Sequence, residues 1–360
     1  MDSYSQEPKV LSHHDVNMAL IALTNRGAST AFQLAGQLGE PVDIYRHEHC
    51  TAGPPARPFR RLRELMPLVW TRYRVLVFIM ATGIVVRHIT GYLAGKDKDP
   101  AVLVLDDNGK FVISLLSGHL GGANALARYI AGILSATPVI TTATDGRGLT
   151  APDEYARRYG WRVYPLGQLP RVNRLLLERG YLVVGTVHEL ADSNAFRHDE
   201  NYLFQSEPTG RQVDVEISAF PRQDDKLYLV PPVVSVGVGC RRGIGSEQIL
   251  LAVEQALSAA GVSTLALKGL YSIELKAGEP GLGQAATQLG ISFATFSGYQ
   301  IQQVNLERNL AQSEFVKEKV GVTGVCEAAS LLGANLGTLI LPKRTFNGVT
   351  VALSLEKSLL

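Results

Sequence analysis

Short apolar runs alternate with amphipathic stretches over the first 145 residues of the chain. The runs are rich in β-branched residues, which predicts strands: ALIALT (19–24), VDIYRH (42–47), VLVFIM (75–80), AVLVLD (101–106), FVISLL (111–116) and PVITTA (138–143). Helical periodicity lies between them, at 29–39, at 57–72 and after Gly83 and Gly118. Pro67 is expected to kink or end the second of these helices. Alternating strands and helices predict a mainly parallel sheet.

The pattern changes between about 146 and 231. Prolines become more frequent, the apolar runs shorten, and FPRQDDKLYLVPP (220–232) has the composition of a strand leading into a linker. This predicts a smaller α+β module, for which the sequence indicates no topology.

Strand and helix patterns return after residue 232. A buried strand (233–240) enters a glycine loop and then a helix that carries Ile249, Val253, Ala256 and Leu257 on one face. Further elements are predicted at 270–276, 281–290, 292–297, 313–321, 325–333, 337–344 and 348–357. The fold prediction is therefore a multi-domain α/β protein. Two α/β domains with mainly parallel sheets, 1–145 and 232–360, are joined by a smaller α+β middle module at 146–231.

The composition excludes several classes of protein. The chain has 360 residues, 46% hydrophobic and 19% charged, with a formal net charge of +2. This near balance of charge does not fit a nucleic-acid-binding protein. The N-terminus lacks the apolar core of a signal peptide, and the apolar stretch 75–86 is too short to span a membrane. The three cysteines have no zinc or disulfide spacing. We expect a cytoplasmic protein with no membrane or nucleic-acid partner.

SGHLGGAN (117–124) is the first loop with candidate chemistry. Glycines let the main chain approach a ligand, and the N–H groups at a helix start attract anions. His119 titrates near neutral pH, which makes it a candidate for proton transfer. The candidate contacts beside it are Ser117, Gly118, Gly121, Gly122 and Asn124. A tight strand-to-helix turn explains the same residues equally well.

GVGCRRGIG (237–245) is the second loop. Its glycine spacing departs from the dinucleotide-binding fingerprint, and the next strand lacks a well-placed acidic residue. Gly239 and the adjacent Arg241 and Arg242 instead suit the binding of carboxylates. Cys240 is more consistent with packing than with nucleophilic catalysis.

Two charged stretches complete the candidates. Near the first loop in sequence, Gly83, Arg87 and Lys96 could bind carboxylates. Asp97 and Asp99 are candidate bases, or parts of a solvated loop. Lys276 and Glu279 could transfer protons or form a surface ion pair. Ligands of parallel sheets lie beyond the carboxyl ends of the strands, so we expect the loops after Gly83 and Gly118 at that edge. These residues indicate an enzyme that acts on a polyanionic small molecule, with no protein metal site.

At these same residues the chain resembles the cobalt-precorrin-5A hydrolases of anaerobic cobalamin biosynthesis, the CbiG family. The resemblance covers about 75–145 and 235–353 and rests on these strings: FIMATGIVVRHI, KDKDPAVLVLDDNGKFVISLLSGHLGGANALA, PVITTATD, VGVGCRRGIGSEQILLAVEQAL, SIELKAGEPGL, FVKEKVGVTGVCEAASLLGA and LILPKRTFNGVTVALS.

The resemblance implies a reaction and a substrate. The family opens a δ-lactone on a cobalt-bearing tetrapyrrole, cobalt-precorrin-5A, and releases acetaldehyde to give cobalt-precorrin-5B. No cofactor is implied, because the substrate carries the cobalt. In this reaction His119 would be the general base, with Lys276 and Glu279 as the second choice for proton transfer. Main-chain N–H groups near Gly121 and Gly122 would hold the oxyanion.

Other interpretations of the sequence stay open. A non-catalytic corrinoid carrier predicts binding without turnover, and an NADPH-dependent reductase of the same pathway predicts saturable NADPH binding. A homodimer and transient contacts with other enzymes of cobalamin synthesis are also compatible with the sequence.

Overall fold

The computed structural model describes residues 18–51, 53–54, 56–95, 97–186, 199–205, 213–310 and 321–357. Lys96 and nearly all of the helix predicted at 313–321 lie outside these residues. The chain divides into two compact units, Met1–Arg158 and Tyr159–Leu360. The middle module predicted for 146–231 therefore falls across the boundary between the two units. Among the described residues, no helix has the length and apolar character needed to cross a membrane.

The first unit contains a sheet with strand order β3-β2-β1-β4-β5-β6-β7. The strands are β1 (Met18–Ala22), β2 (Asp43–His47), β3 (Arg57–Phe59), β4 (Val75–Ile79), β5 (Ala101–Leu105), β6 (Phe111–Leu116) and β7 (Thr137–Val139). The helices are α1 (Asn25–Ala35), α2 (Leu62–Arg72), α3 (Thr82–Ile89), α4 (Ala123–Leu134), α5 (Ala143–Gly146) and α6 (Pro152–Arg158). The strands from β3 to β5 pair in parallel, which agrees with the predicted sheet.

Helices cover both faces of this sheet. Every residue of β1, β4 and β5 is buried. Side chains of α1 and α4 pack with one face of these strands, and side chains of α2 and α3 pack with the other. Burial on both faces explains why these strands are continuous apolar runs rather than alternating ones.

Two helices differ from their predicted bounds. Helix α1 begins at Asn25, four residues before the prediction, because the Thr24 hydroxyl caps it by accepting from the Gly27 N–H. Helix α2 continues through Pro67 instead of ending there, and residues 57–59 form β3. The buried side chains of Leu65, Met66 and Val69 hold α2 against the sheet on either side of the proline.

Strand β6 reverses direction relative to β5, with Val102 opposite Leu116 and Leu105 opposite Val112. The turn that joins them is fixed by the Asp106 carboxylate, which accepts from the N–H groups of Asn108 and Phe111. The loop 117–124 therefore lies beside the amino end of β5, at the edge opposite Gly83. Each glycine loop follows the carboxyl end of its own strand, as predicted, but the two loops do not share one edge of the sheet. The sequence DDNGK (106–110) between two apolar runs is a hairpin signal that indicated this reversal.

The second unit contains two sheets. The first has strand order β10-β9-β11-β12-β8, and all its pairs are parallel except β8 with β12. Its strands are β8 (Arg162–Tyr164), β9 (Leu182–Thr186), β10 (Tyr202–Gln205), β11 (Val215–Ile217) and β12 (Leu227–Val230). Helix α7 (Leu169–Arg179) lies between β8 and β9 in the chain.

The other sheet has strand order β15-β14-β13-β17-β16. Its strands are β13 (Val234–Cys240), β14 (Leu267–Ile273), β15 (Ser292–Phe296), β16 (Thr338–Phe346) and β17 (Val349–Leu355). The helices of this part of the chain are α8 (Ser246–Ala260), α9 (Pro280–Leu289), α10 (Gly298–Glu307) and α11 (Cys326–Gly333). The face of α8 predicted to be apolar is buried. Strands β13, β14 and β15 are parallel, so their carboxyl ends meet at one edge.

Candidate functional site

A cleft of about 250 Å³ lies at the carboxyl end of β6. Strand β6, the following loop, α6 and the segment before α5 supply its walls: residues 114–120, Asp99, Asn124, Thr141, Thr142 and Asp153. The predicted contacts Ser117, Gly118, His119 and Asn124 all line it. The cleft brings together a histidine and two carboxylates that are far apart in sequence.

His119 lies between two carboxylates. Its Nε2 is 3.0 Å from Asp145 Oδ2, and its Nδ1 is 3.4 Å from Asp153 Oδ1. Burial by itself lowers the pKa of the imidazole, but Asp153 and then Asp145 outweigh that effect and raise the pKa to about 9. His119 is therefore an imidazolium at neutral pH.

This charge state bears on the role predicted for His119. A general base must have a free lone pair, and an imidazolium has none. The ring as it stands is an acid and a fixed positive charge in the cleft. The prediction that His119 takes the first proton of the reaction does not fit this resting state.

Asp145 holds the ring in place. Its Oδ2 accepts from His119 Nε2, from the Thr142 hydroxyl and from Asn124 Nδ2, the last at 2.9 Å. The Arg128 guanidinium donates to Oδ1. Burial raises the pKa of Asp145, but bonds from Thr142, Arg128 and His119 more than offset this and keep the pKa below its usual range. An ionised Asp145 orients His119 through Nε2 and leaves Nδ1 facing Asp153.

Asp153 has an oxygen without a hydrogen-bond donor. The residue is only 6% exposed, and no group in the described part of the chain donates to its Oδ1 with hydrogen-bond geometry. His119 Nδ1 lies 3.4 Å away as the ion-pair partner of this oxygen, but without the geometry of a hydrogen bond. A buried carboxylate oxygen in this state needs a donor, which water or a substrate hydroxyl can supply.

Three N–H groups at the end of the loop donate to carbonyl groups of the loop itself. Gly122 donates to the His119 carbonyl at 3.0 Å and Asn124 to the Gly118 carbonyl at 3.0 Å. Gly122, with φ +81°, is the residue before α4. Its N–H is not free to bind an oxyanion as predicted.

Gly118 and Gly121 allow close packing within the loop. A Cβ on Gly121 would lie 2.5 Å from Ser117 Cβ, and one on Gly118 would lie 2.7 Å from Asn124 Oδ1. Ser117 donates to the Asp99 carbonyl at 3.1 Å, and Asn124 Oδ1 accepts from Ser114 at 2.6 Å. The tight-turn interpretation therefore explains these glycines, while the cleft beside them contains the chemistry.

Asp145, Asp153 and Arg157 were not predicted as site residues from the sequence. Asp145 ends the matched string PVITTATD, but Asp153 and Arg157 lie beyond it in a segment assigned to the variable module. Arg157 lies one turn after Asp153 on α6, near Gly122, and its Nε has no hydrogen-bond partner among the described residues. No spacing in the sequence indicated that α6 would cover the loop.

His119, Asp145 and Glu154 each place one possible ligand atom within 4.8 Å of the others. Such spacing could accommodate a metal ion. Asp145, however, is already paired with Arg128, and Glu154 is 3.9 Å from Arg158. Because both carboxylates are paired with arginines, we assign His119 and Asp145 to charge and proton transfer, and Glu154 to its ion pair with Arg158.

Gly83 and Arg87 lie at the opposite edge of the first sheet, where Arg87 donates to the Gly83 carbonyl at 3.2 Å. A second cavity of about 520 Å³ lies near Gly83, lined by Leu23, Thr24, Met80, Ala81, Thr82, Ile84, Val104, Asp106, Asp107, Phe111, Ile113 and Val139. Both carboxylate oxygens of Asp99 accept N–H groups of its own turn, so this candidate base has a structural role.

Lys276 and Glu279 form an ion pair in the second unit. Glu279 accepts from the Gly243 N–H at 2.7 Å and from Lys276 Nζ at 3.1 Å, and its side chain is 7% exposed. These two bonds, that of Gly243 first, hold the pKa of Glu279 below its usual range. Lys276 and Glu279 therefore form a buried ion pair that holds the loop 237–245 through the Gly243 N–H. Neither a free acid for proton transfer nor a surface ion pair describes them.

Gly239, Arg241 and Arg242 belong to this second loop. A Cβ on Gly239 would lie 2.5 Å from Thr350 Oγ1, so this glycine is required by packing. Arg241 and Arg242 are exposed. Burial raises the pKa of Cys240, which disfavours the thiolate and agrees with the packing interpretation.

The charge on His119 predicts a pH dependence of stability. Its pKa in the folded protein, about 9, exceeds the ordinary value of 6.5, so its ion pairs stabilise fully below pH 6.5. This stabilisation is lost as the pH rises from 6.5 through 9. We expect an NMR titration of the His119 ring with a midpoint near 9, and a clearly lower midpoint in Asp153→Asn. The difference in unfolding free energy between the wild type and His119→Gln should shrink over the same interval. A wild-type midpoint near 6.5 would contradict the charged resting state.

Comparisons with known proteins cover both units. Two family models match: Cobalamin synthesis G N-terminal at 64–145 and Cobalamin synthesis G C-terminus at 234–354. A protein of Salmonella typhimurium named cobalt-precorrin-5A hydrolase is 34% identical, over 94% of this chain and 97% of its own. A protein of Priestia megaterium with the same name is 30% identical, over 94% of both chains. A solved structure, a putative cobalamin biosynthesis protein G homolog from Sulfolobus solfataricus, covers 94% of this chain and 97% of its own at 21% identity, with a TM-score of 0.38.

Proposed function

The chain belongs to the cobalt-precorrin-5A hydrolase (CbiG) family, and from this premise we propose that it opens the δ-lactone of cobalt-precorrin-5A and releases acetaldehyde to give cobalt-precorrin-5B. The observation that carries the proposal is the His119 imidazolium paired with an Asp153 oxygen that receives no hydrogen bond from the described residues. An acid and a base in contact are what the opening of a lactone requires.

Lactone opening is the first step. Asp153 Oδ1 takes a proton from water, and the resulting hydroxide adds to the lactone carbonyl carbon. The acyl carbon–oxygen bond then breaks, and His119 Nδ1 donates its proton to the departing alkoxide. The products are a carboxylic acid, which ionises, and an alcohol on the meso substituent. Asp153 now carries a proton and His119 is neutral.

Carbon–carbon cleavage is the second step. Neutral His119 takes the proton of the alcohol, the C–O bond becomes a carbonyl, and acetaldehyde leaves. The electron pair of the broken carbon–carbon bond passes to the conjugated macrocycle, which receives the proton of Asp153. Both side chains return to their starting states. His119 is thus the base of the second step, after acting as the acid of the first.

The surrounding residues keep this pair in position. Asp145 holds His119 through Nε2 and stabilises its charge, and Arg128 keeps Asp145 ionised. No cofactor enters the proposed steps, because the cobalt arrives with the substrate. Contacts of the substrate with Gly83, Arg87 and Lys96 stay predictions. The free state of all three cysteines supports a cytoplasmic location, where thiols stay reduced.

The proposal is tested by incubating the purified protein anaerobically with cobalt-precorrin-5A and trapping acetaldehyde as a hydrazone. We expect one acetaldehyde per substrate consumed, with or without NADPH, and a rate at least a hundredfold lower for His119→Gln. Tight binding with no aldehyde would instead indicate a carrier, and dependence on NADPH would indicate a reductase. Either result would reject the hydrolase.

A further inference from the structure

Two large hydrophobic side chains of the second unit are unusually exposed. Leu275 is 72% exposed and Tyr299 is 75% exposed, the highest values among the large hydrophobic residues that the structure describes. Single exposed hydrophobic residues are common on protein surfaces. Two that follow adjacent strands at the same edge of a sheet are less common and indicate a binding surface.

Leu275 and Tyr299 follow neighbouring strands. Strands β14 and β15 pair in parallel, with Ile273 opposite Phe296 at their carboxyl ends. Leu275 lies in the turn Glu274–Lys276 directly after β14, and this turn contacts β15. Tyr299 lies in the first turn of α10, directly after β15. Both side chains therefore stand at the edge of the sheet where ligands of α/β proteins bind.

The backbone beneath both residues is held firmly. The Lys276–Glu279 pair ties the turn of Leu275 to the Gly243 N–H. Ser297 and Gln300 form a reciprocal capping box at the start of α10, on either side of Tyr299. The two hydrophobic side chains are thus presented by fixed segments, so their exposure does not result from a loose loop.

Positive charge adjoins this apolar surface. Arg241 and Arg242 are exposed at the carboxyl end of β13, the strand next to β14. Arg242 lies close enough to Glu279 to help lower the pKa of this carboxylate, but the ion pair of Glu279 is with Lys276. The edge therefore combines an exposed leucine and tyrosine with two available guanidinium groups.

We infer that this edge binds the flat face of a carboxylate-bearing tetrapyrrole. Leu275 and Tyr299 contact the macrocycle, and Arg241 and Arg242 bind acetate or propionate arms at its rim. An aromatic ring and an aliphatic side chain suit a broad conjugated surface, and guanidinium groups suit carboxylates. The inference rests on the proposed function for the identity of the substrate and assigns Leu275 and Tyr299 as new contact residues.

The test measures affinity apart from turnover. Tyr299→Trp places a fluorophore in the surface, and we expect cobalt-precorrin-5A to quench it. Leu275→Ser and Tyr299→Ser should each weaken binding of cobalt-precorrin-5A about tenfold, measured by isothermal titration. Leu306→Ser is the matched control, because Leu306 is 59% exposed at the other end of α10, and its affinity should equal that of the wild type.

A second comparison tests the two arginines. The double variant Arg241→Gln and Arg242→Gln should lose at least tenfold in affinity for cobalt-precorrin-5A. It should lose little for a cobalt corrinoid whose side arms are amidated, since only the macrocycle contacts are shared. An equal loss for both ligands would overturn the assignment of the arginines to carboxylates.

Other results would overturn the inference as a whole. Unchanged affinity in Leu275→Ser and Tyr299→Ser would do so. A change from dimer to monomer in these two variants, measured by sedimentation, with unchanged affinity for cobalt-precorrin-5A would also overturn it. The surface would then bind a second copy of the chain. These outcomes leave acetaldehyde release by the wild type untouched. Failure of the proposed function would instead appear as absence of acetaldehyde with binding intact.

Discussion

Replacing Asp153 with asparagine is expected to lower kcat for acetaldehyde release about a thousandfold, with KM changed less than threefold. The physical reason is that Asp153 Oδ1 receives no hydrogen bond from the described residues, so it can take the proton of the attacking water. An amide of the same shape cannot accept that proton. Substrate binding does not depend on this proton transfer, so kcat should fall while KM stays nearly unchanged.

Glu154→Gln is the matched control for this experiment. Glu154 is the next residue on α6, and its nearest paired group is Arg158 at 3.9 Å. We expect its kcat within about threefold of the wild type, because its contact with the half-exposed Arg158 is long and contributes little. Circular dichroism and thermal unfolding of Asp153→Asn should show a folded protein. A kcat near the wild-type value in folded Asp153→Asn would remove Asp153 from the mechanism.

The largest effect on stability is expected for Gly237→Ala in β13. A Cβ at this position would lie 1.8 Å from the Cys326 carbonyl oxygen and 2.7 Å from the Ser330 N–H nitrogen, both in the backbone of α11. Helix α11 cannot easily move away, because its buried Ser330 hydroxyl is hydrogen-bonded to Ser354 of β17 at 2.7 Å. We expect a loss of about 3 kcal/mol in the free energy of unfolding.

Gly283→Ala is the control for this substitution. Gly283 lies within α9, with no atom within 4 Å of the added Cβ, and alanine favours the helix. We expect a gain of about 0.5–1 kcal/mol. Urea unfolding monitored by circular dichroism measures both variants. Equal stability of Gly237→Ala and the wild type would show that α11 does not pack against β13 as described.

Much of the fold followed from local patterns. Strands β1, β4 and β5 were predicted because they are apolar runs buried on both faces, and a run of that kind is visible in a single sequence. The buried face of α8 followed from its periodicity in the same way. The errors arose where a single polar side chain fixed the start of a helix or the direction of a strand. The Thr24 cap moved the start of α1, and the turn at Asp106 reversed β6.

The candidate site was predicted in part. His119, Ser117, Gly118 and Asn124 do line one cleft. The roles assigned to the glycines were less accurate, because a glycine required for packing and a glycine required by a ligand look the same in sequence. Gly121 is required by its contact with Ser117, and Gly239 by its contact with Thr350.

By itself, the sequence determined the α/β class, most strand positions, the family and the histidine of the candidate site. These depend on hydrophobic periodicity and on long strings of residues, which are properties of the chain. The tertiary structure placed the loop of His119 apart from Gly83, because β6 pairs antiparallel with β5. It also brought Asp145 and Asp153 to the ring. The charge of a buried imidazole depends on such neighbours in space, and no spacing in the sequence reveals them.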